Sequence, residues 1–257
     1  MRVKEDLSRK EIISKIMEKK EFSKIMKKDV ELVFDKFDKQ DLVLEDKIKK
    51  TRDLLRKMYS VFVSDKLFNK KDESPEWFLK KHVSTRERFD YYPELYGKLL
   101  KEKDVVFDLG AGINGFSFSY FPKGVEYIGV ESVGQLVDLM NYYFKTRGLN
   151  GGAIHESLFD LDKIKKYLKQ VKGTKVVFLF KVIDSLEMLK RNYSKEFLLE
   201  IVPLVDRVVV SFATKSLVSR KSFKATRNWL YYFIKENFNL LDDFEIGAER
   251  YLVFSKR

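Results

Sequence analysis

Cysteine is absent from the 257 residues. Disulfides, thiolate zinc sites and cysteine nucleophiles are therefore excluded. Histidine is nearly absent: His82 and His155 are the only two, too few for a histidine-built metal centre, and no metal is expected. Proline is scarce, with four residues and none before Pro75, and no glycine precedes Gly97. A stretch with so few breakers points to helices. No apolar run reaches the roughly twenty residues of a membrane span. The first residues, Met1-Arg2-Val3-Lys4-Glu5-Asp6, are charged. Neither a span nor a secretory leader is expected, and the expected setting is the cytoplasm. Acid is in deficit, with 39 Asp and Glu against 51 Lys and Arg, a net charge of +12. Such a balance favours a polyanionic partner, of which nucleic acid is the commonest. Neither a phosphate loop of the form G-x-x-x-x-G-K-[ST] nor a G-x-S-x-G nucleophile elbow occurs.

What is present divides near Asp72-Glu73-Ser74-Pro75-Glu76. Residues 1–74 carry apolar side chains at helical spacing, as in Ile12, Ile13, Ile16 and Met17, then Leu32, Val33, Phe34 and Phe37. They read as a helical domain with lysine-rich polar faces. Residues 75–257 read as an α/β domain, entered by a helix with Ser74 as cap and Pro75 in its first turn. From residue 104 the pattern alternates. Strands are expected at 105–108, 127–131, 153–155, 176–180 and 208–212, then at 240–246 and 251–255 about a turn at Gly247, with helices between most of them. Such alternation implies a doubly wound, mostly parallel sheet.

The most informative run is Val105-Val106-Phe107-Asp108-Leu109-Gly110-Ala111-Gly112. A buried strand ends in an acid and a glycine-rich turn, which lets backbone approach a nucleotide-like ligand. About twenty residues on, Tyr127-Ile128-Gly129-Val130-Glu131 places a second acid where it can accept from ribose hydroxyls. Gly110, Gly112 and Gly115 match a pyrophosphate turn, G-x-G-x-x-G. Asp108 argues against a pyrophosphate, because like charges repel. S-adenosylmethionine has no phosphate and carries a sulfonium and an ammonium, so it is the expected cofactor, with S-adenosylhomocysteine as product.

Four segments carry a family resemblance: His82-Val83-Ser84-Thr85-Arg86-Glu87-Arg88, Val106 to Asn114, Val176-Val177-Phe178-Leu179-Phe180-Lys181, and Val210 to Leu217. In order and spacing this set resembles the aminoglycoside-resistance methyltransferases that modify guanine N7 in 16S ribosomal RNA. The resemblance implies a class I Rossmann-like methyltransferase sheet of seven strands, closed by a C-terminal antiparallel hairpin, behind an N-terminal helical domain that binds RNA or the ribosome. It also implies site roles. Arg88 would pair with the cofactor's carboxylate, with His82 and Ser84 lining the same pocket. Asp108, Gly110, Ala111 and Gly112 would form the cofactor turn, and Glu131 would hold the ribose. Ser157 and Leu158 would flank the adenine, with Leu179 beneath it. The family's cysteine and proline in the glycine loop are Ala111 and Gly115 here. Its leucine-proline after the fourth strand is Ile183-Asp184, and its proline after the fifth is Ala213.

Between Asp206 and Glu236 there is no acidic residue, while Arg207, Lys215, Arg220, Lys221, Lys224, Arg227 and Lys235 supply +7. A one-sign stretch beginning at the ligand-facing edge of a sheet suits phosphate contact, and Lys215, Arg220, Lys221, Lys224 and Arg227 are the candidate RNA-binding residues. Phe180, Lys181, Asp184 and Phe212 are candidates for the target-base pocket. Of these, Lys181, Asp184 and Phe212 are the candidate catalytic residues. Guanine N7 keeps an in-plane lone pair and needs no general base. Cytosine N4 needs a proton acceptor, for which Asp184 is available, so both targets stay open. The expected function is methylation of a small-subunit ribosomal RNA base by a monomer, on RNA or an assembled particle. Two alternatives remain. One is a small-molecule or protein methyltransferase, favoured if the helical domain covers the pocket. The other is a non-catalytic RNA-binding assembly factor.

Overall fold

The computed structural model describes residues 7–59, 71–214 and 227–257. Seven strands form one sheet: β1 (Val105–Leu109), β2 (Glu126–Glu131), β3 (Gly151–His155), β4 (Lys175–Phe180), β5 (Arg207–Ala213), β6 (Asn239–Ile246) and β7 (Glu249–Ser255). Their order is β3-β2-β1-β4-β5-β7-β6. β1 to β5 are parallel, and β7 runs antiparallel between β5 and β6. The expected doubly wound sheet and its closing hairpin are both present, with Gly247 at φ +63° in the turn. Strand order reverses at β1, which lies between β2 and β4. The C-terminal edge there is the crevice where open α/β sheets bind ligands.

Both faces of the sheet's centre are buried, so β4 is apolar from Val176 to Phe180, and side-chain alternation divides it between two cores. Val176, Phe178 and Phe180 join one core, and Val177 and Leu179 join the other. The first face is covered by α6 (Tyr92–Leu99) and α7 (Gly134–Thr146). The second is covered by α8 (Leu161–Gln170), α9 (Ile183–Leu189), α10 (Tyr193–Ile201) and α11 (Asn228–Asn237).

The N-terminal helices are α1 (Arg9–Met17), α2 (Lys27–Asp38) and α3 (Leu44–Met58). Ser8 and Glu11 close a capping box at the start of α1. At residue 74 the expected start is found: the Ser74 hydroxyl accepts from Trp77 N at 3.2 Å, and Pro75 opens α4 (Pro75–Lys81). α5 (Val83–Arg88) follows. The boundary separates two sequence patterns without separating two cores. Ile13, Val33, Phe34 and Leu55 belong to the same buried cluster as Phe78, Val106 and Phe178. Backbone bonds reinforce the seam: Met26 N donates to Ser132 O at 3.0 Å, and Gly134 N to Lys24 O at 2.7 Å. The bundle is thereby fixed against the end of β2. Between β1 and β2 the chain forms a 3-10 helix, Asn114–Tyr120.

Candidate functional site

The strand ends line a cavity of about 260 Å³. β1 delivers Asp108 and the turn Gly110-Ala111-Gly112, β2 delivers Glu131, and β4 leads into Phe180 and Lys181. His82, Ser84 and Arg88 enter from α5 and the residue before it, and Leu158 from the segment after β3. The turn needs its glycines. Gly110 sits at φ +77°, and a Cβ there would lie 2.7 Å from Val182 Cγ2. Gly112 sits at φ +55° with open space where a Cβ would stand.

A buried hydrogen-bond network ties these groups together. Asn114 Nδ2 donates to Asp108 Oδ2 at 2.8 Å, and the Tyr127 hydroxyl donates to the same oxygen at 2.9 Å. Asn114 Oδ1 in turn accepts from Arg88 Nη1 and from the Tyr92 hydroxyl, each at 3.1 Å. Arg88 Nε pairs with Glu249 Oε2 at 3.1 Å, and the guanidinium lies 4.9 Å from the centre of the Phe180 ring. Glu249, from the first residue of β7, also meets Lys181 Nζ at 3.2 Å and the Ser211 hydroxyl. Lys181 has φ +58°, a left-handed conformation costly for a side chain with a Cβ. That turn carries its Nζ to Glu87 at 2.7 Å as well as to Glu249.

Burial sets the charges. It pushes Asp108 up to about 6, against the pull of Asn114, Tyr127 and Arg88. It pushes Glu131 up to about 7, against the backbone N–H groups of Val133 and Gly112, which donate at 2.8 and 2.9 Å. His82 is driven down to about 3 by burial and the cations Arg88, Lys181 and Arg86, so it is neutral. For Glu249 burial acts upward, yet Arg88, Lys181 and Ser211 outweigh it and hold the carboxylate below its ordinary value.

Asp108, with an oxygen (Oδ1) that has no protein partner among the described residues, suits an ammonium or sulfonium. Arg88, whose Nη2 is likewise without a protein partner there, suits a carboxylate. Glu131 suits ribose hydroxyls. The donor set therefore fits the expected cofactor, and open space at Gly112 leaves room for it.

Not every expected residue reaches this wall. Leu179 is fully buried in the second core, because alternation along β4 turns it away from Phe180. Ser157 is buried, with its hydroxyl on Asp29. Phe212 is buried under Arg227 and Arg250, whose guanidinium carbons lie 5.4 and 6.0 Å from its ring centre. Asp184, exposed in the first turn of α9, is bound by Arg227, whose Nε donates at 3.0 Å. Neither lines the cavity. Arg227 is engaged there instead of standing open to phosphate. Lys215, Arg220, Lys221 and Lys224 lie outside the described residues.

Asn114, Glu249 and Asp29 are groups the sequence reading did not assign. Asn114 stands in the glycine loop, where its position was a usable signal. Glu249 lies 161 residues from Arg88 and carries no local signal. Asp29 shares the helical face of Val30 and Val33, and an acid on an apolar stripe was the available clue.

No protein-family model matches the chain, and no curated protein matches it in sequence. Solved structures do match. The 16S rRNA methyltransferase RmtF, in complex with S-adenosyl-L-homocysteine, is similar at a TM-score of 0.80 and 20% identity, over 96% of this chain and 98% of that one. The 16S rRNA methylase RmtB gives 0.76 and 16% over 96% and 98%. An rRNA methylase from Escherichia coli gives 0.75 and 16% over 96% and 99%. The chain has the fold of these rRNA methylases. At such identities the likeness is one of fold, covering the helical region as well as the sheet.

The raised carboxylates give a pH signature. A carboxylate that holds a ribose hydroxyl does so in its ionised form, so with Glu131 in that role nucleoside binding should strengthen as pH rises through about 7 and level off above it. Titration calorimetry with S-adenosylhomocysteine should show affinity rising between about pH 5 and 8, with proton release near neutrality, and Glu131→Gln should remove the part of the rise near 7 and leave the part near 6 from Asp108. For folding the sign is opposite. A carboxyl raised by burial contributes stability below its unfolded value, and that contribution is lost as pH rises through about 7.

Proposed function

We propose that this protein is an S-adenosylmethionine-dependent methyltransferase acting on a base of small-subunit ribosomal RNA. One observation carries the reading: a single cavity at the switch point holds Arg88, Asp108 and Glu131, matching a ligand with a carboxylate, an adjacent positive charge and a ribose. The fold supports it, since structures sharing that fold over nearly the whole chain are named as 16S rRNA methylases, one with S-adenosyl-L-homocysteine. The net charge of +12 supports an RNA substrate.

When bound, the cofactor supplies an electrophilic methyl group. The chain's own residues orient and shield. Arg88 and Asp108 fix the amino-acid end, Glu131 fixes the ribose, and Phe180 and Lys181 border the space for an incoming base. In-line alignment of nucleophile, carbon and sulfur is the main catalytic contribution. Guanine N7 is the target favoured over cytosine N4. The Asp184 carboxylate is held by Arg227, and Glu249 and Glu87 are held by Lys181. N7 attack requires no proton acceptor. The protein acts in the cytoplasm as a monomer, and the target nucleotide leaves its stack to reach the cavity.

The test supplies purified protein with methyl-labelled donor and small ribosomal subunits, naked small-subunit RNA or RNA-free extract. Label in the RNA, recovered as 7-methylguanosine, is expected. Label confined to protein or small molecules would favour the second reading. One observation speaks for that reading: Asp29, Lys57, Met58 and Tyr59 of the bundle form part of the cavity wall. Lys221→Glu is expected to weaken binding to small-subunit RNA and lower its salt dependence by about one ion or more, while S-adenosylhomocysteine affinity is unchanged. Unchanged RNA affinity would remove the acid-free stretch from the RNA interface.

A further inference from the structure

We infer that Asp29, from the N-terminal helical region, accepts a hydrogen bond from the exocyclic amine of the cofactor's adenine, so that this region completes the methyl-donor site. The inference rests on the methyl-donor reading above. A linear ligand held by Arg88 and Asp108 at one end and by Glu131 at its ribose must place its base beyond Glu131, on the β3 side of the sheet. There the wall is built from both parts of the chain: Ser132, Leu158 and Phe159 from the sheet region, and Asp29, Met58 and Tyr59 from the bundle. Leu158, Phe159 and Met58 offer apolar surface to the faces of a purine. The polar edge of that purine needs a partner among the remaining groups.

Asp29 has the required chemistry. It is only 2% exposed, yet it lines the cavity. Among the described residues it meets no cation. Its ligands are three hydroxyls: Tyr59 at 3.1 Å and Ser132 on Oδ2, and Ser157 on Oδ1. An ionised carboxylate has about four acceptor positions, so one remains, on the oxygen that carries a single donor. A buried carboxylate without a cation is costly unless its acceptor positions are filled. The amine of adenine is a donor that fills the last one, and a 6-oxo purine would present an oxygen to the carboxylate instead. Asp29 is thus a specificity-determining residue for adenine, supplied 128 residues upstream of the Ser157 it touches.

The test titrates the full chain calorimetrically with S-adenosylhomocysteine and with its 6-deamino analogue, which lacks only the amine. Wild type should favour the parent by about tenfold or more, as expected for a hydrogen bond to a charged group. Asp29→Ala should bring the two ligands to within about twofold of each other, chiefly by weakening the parent. Ser157→Ala, which keeps the carboxylate, should preserve the preference. Equal wild-type affinity for both ligands overturns the inference and needs no variant to fold. A preference that survives in Asp29→Ala overturns it too. Absence of any S-adenosylhomocysteine binding by wild type is a different result, which removes the methyl-donor reading and this inference with it.

Discussion

Arg88→Ala is expected to lose S-adenosylhomocysteine binding by about two orders of magnitude, together with all methyl transfer. Removing one member of a buried, hydrogen-bonded charge contact costs about 2–5 kcal/mol, which corresponds to that range. Stability should fall as well. Arg88 is 4% exposed and pairs with Glu249 at 3% exposure, and truncation leaves that carboxylate buried with Lys181 and Ser211. Breaking a buried pair costs about 3–5 kcal/mol. The remaining partners place this case at the low end, so chemical denaturation should show a loss of about 3 kcal/mol. Arg88→Lys separates the two effects. It keeps a cation near Glu249 and recovers much of the stability, but it lacks the planar fork suited to holding a ligand carboxylate beside Asn114. Wild-type turnover in either variant would refute the assignment of Arg88. The acid side of the stability curve is a second reading of the same pair. Glu249 is held below its ordinary value, so its contribution is present above the unfolded carboxyl value and is lost as pH falls through the lowered one. In Arg88→Ala that acid-side loss should shrink.

Asp108→Ala is expected to abolish methylation with a smaller effect on folding. Its carboxylate accepts from Asn114 and Tyr127, and Asn114 retains Arg88 and the Tyr92 hydroxyl when Asp108 is gone. Asp108→Asn is the sharper variant. Its amide oxygen can still accept both bonds, so the fold should be kept, while the negative charge suited to the ligand's ammonium is lost. A hydrogen bond to a charged group contributes about 1.5–3 kcal/mol, so S-adenosylhomocysteine affinity should fall about tenfold to a hundredfold. Unchanged affinity in Asp108→Asn would remove the electrostatic basis for choosing a sulfonium cofactor over a dinucleotide.

The sheet was legible because its strands obey local rules. Val176 to Phe180 is an unbroken apolar run, as a strand covered on both faces must be, and the breaks between strands coincide with glycines and polar residues. The glycine turn was legible because positive φ at Gly110 and Gly112 requires that residue type. The family comparison put Leu179 beneath the adenine, and in the structure it joins the second core. A consensus strand names residues without stating which face each occupies, and period-two alternation puts Leu179 opposite Phe180. Asp184 was a reasonable acceptor by chain position alone. Its capture by Arg227 joins residues 43 apart, and no local pattern encodes that distance. The same holds for Glu249 and Asp29, whose importance comes from contacts across more than a hundred residues. The boundary at residue 74 was visible as a change of pattern, but the continuous core across it was not, because a buried face does not name what covers it.

The most direct measurement is a calorimetric titration of the wild-type protein with S-adenosylhomocysteine and, separately, with NAD. A sulfonium-donor site with Asp108 at its centre should give saturable one-to-one binding of S-adenosylhomocysteine at pH 8 and no detectable heat with NAD. Absence of S-adenosylhomocysteine binding, or preference for the pyrophosphate-bearing ligand, would contradict the assignment of the cavity as a methyl-donor site.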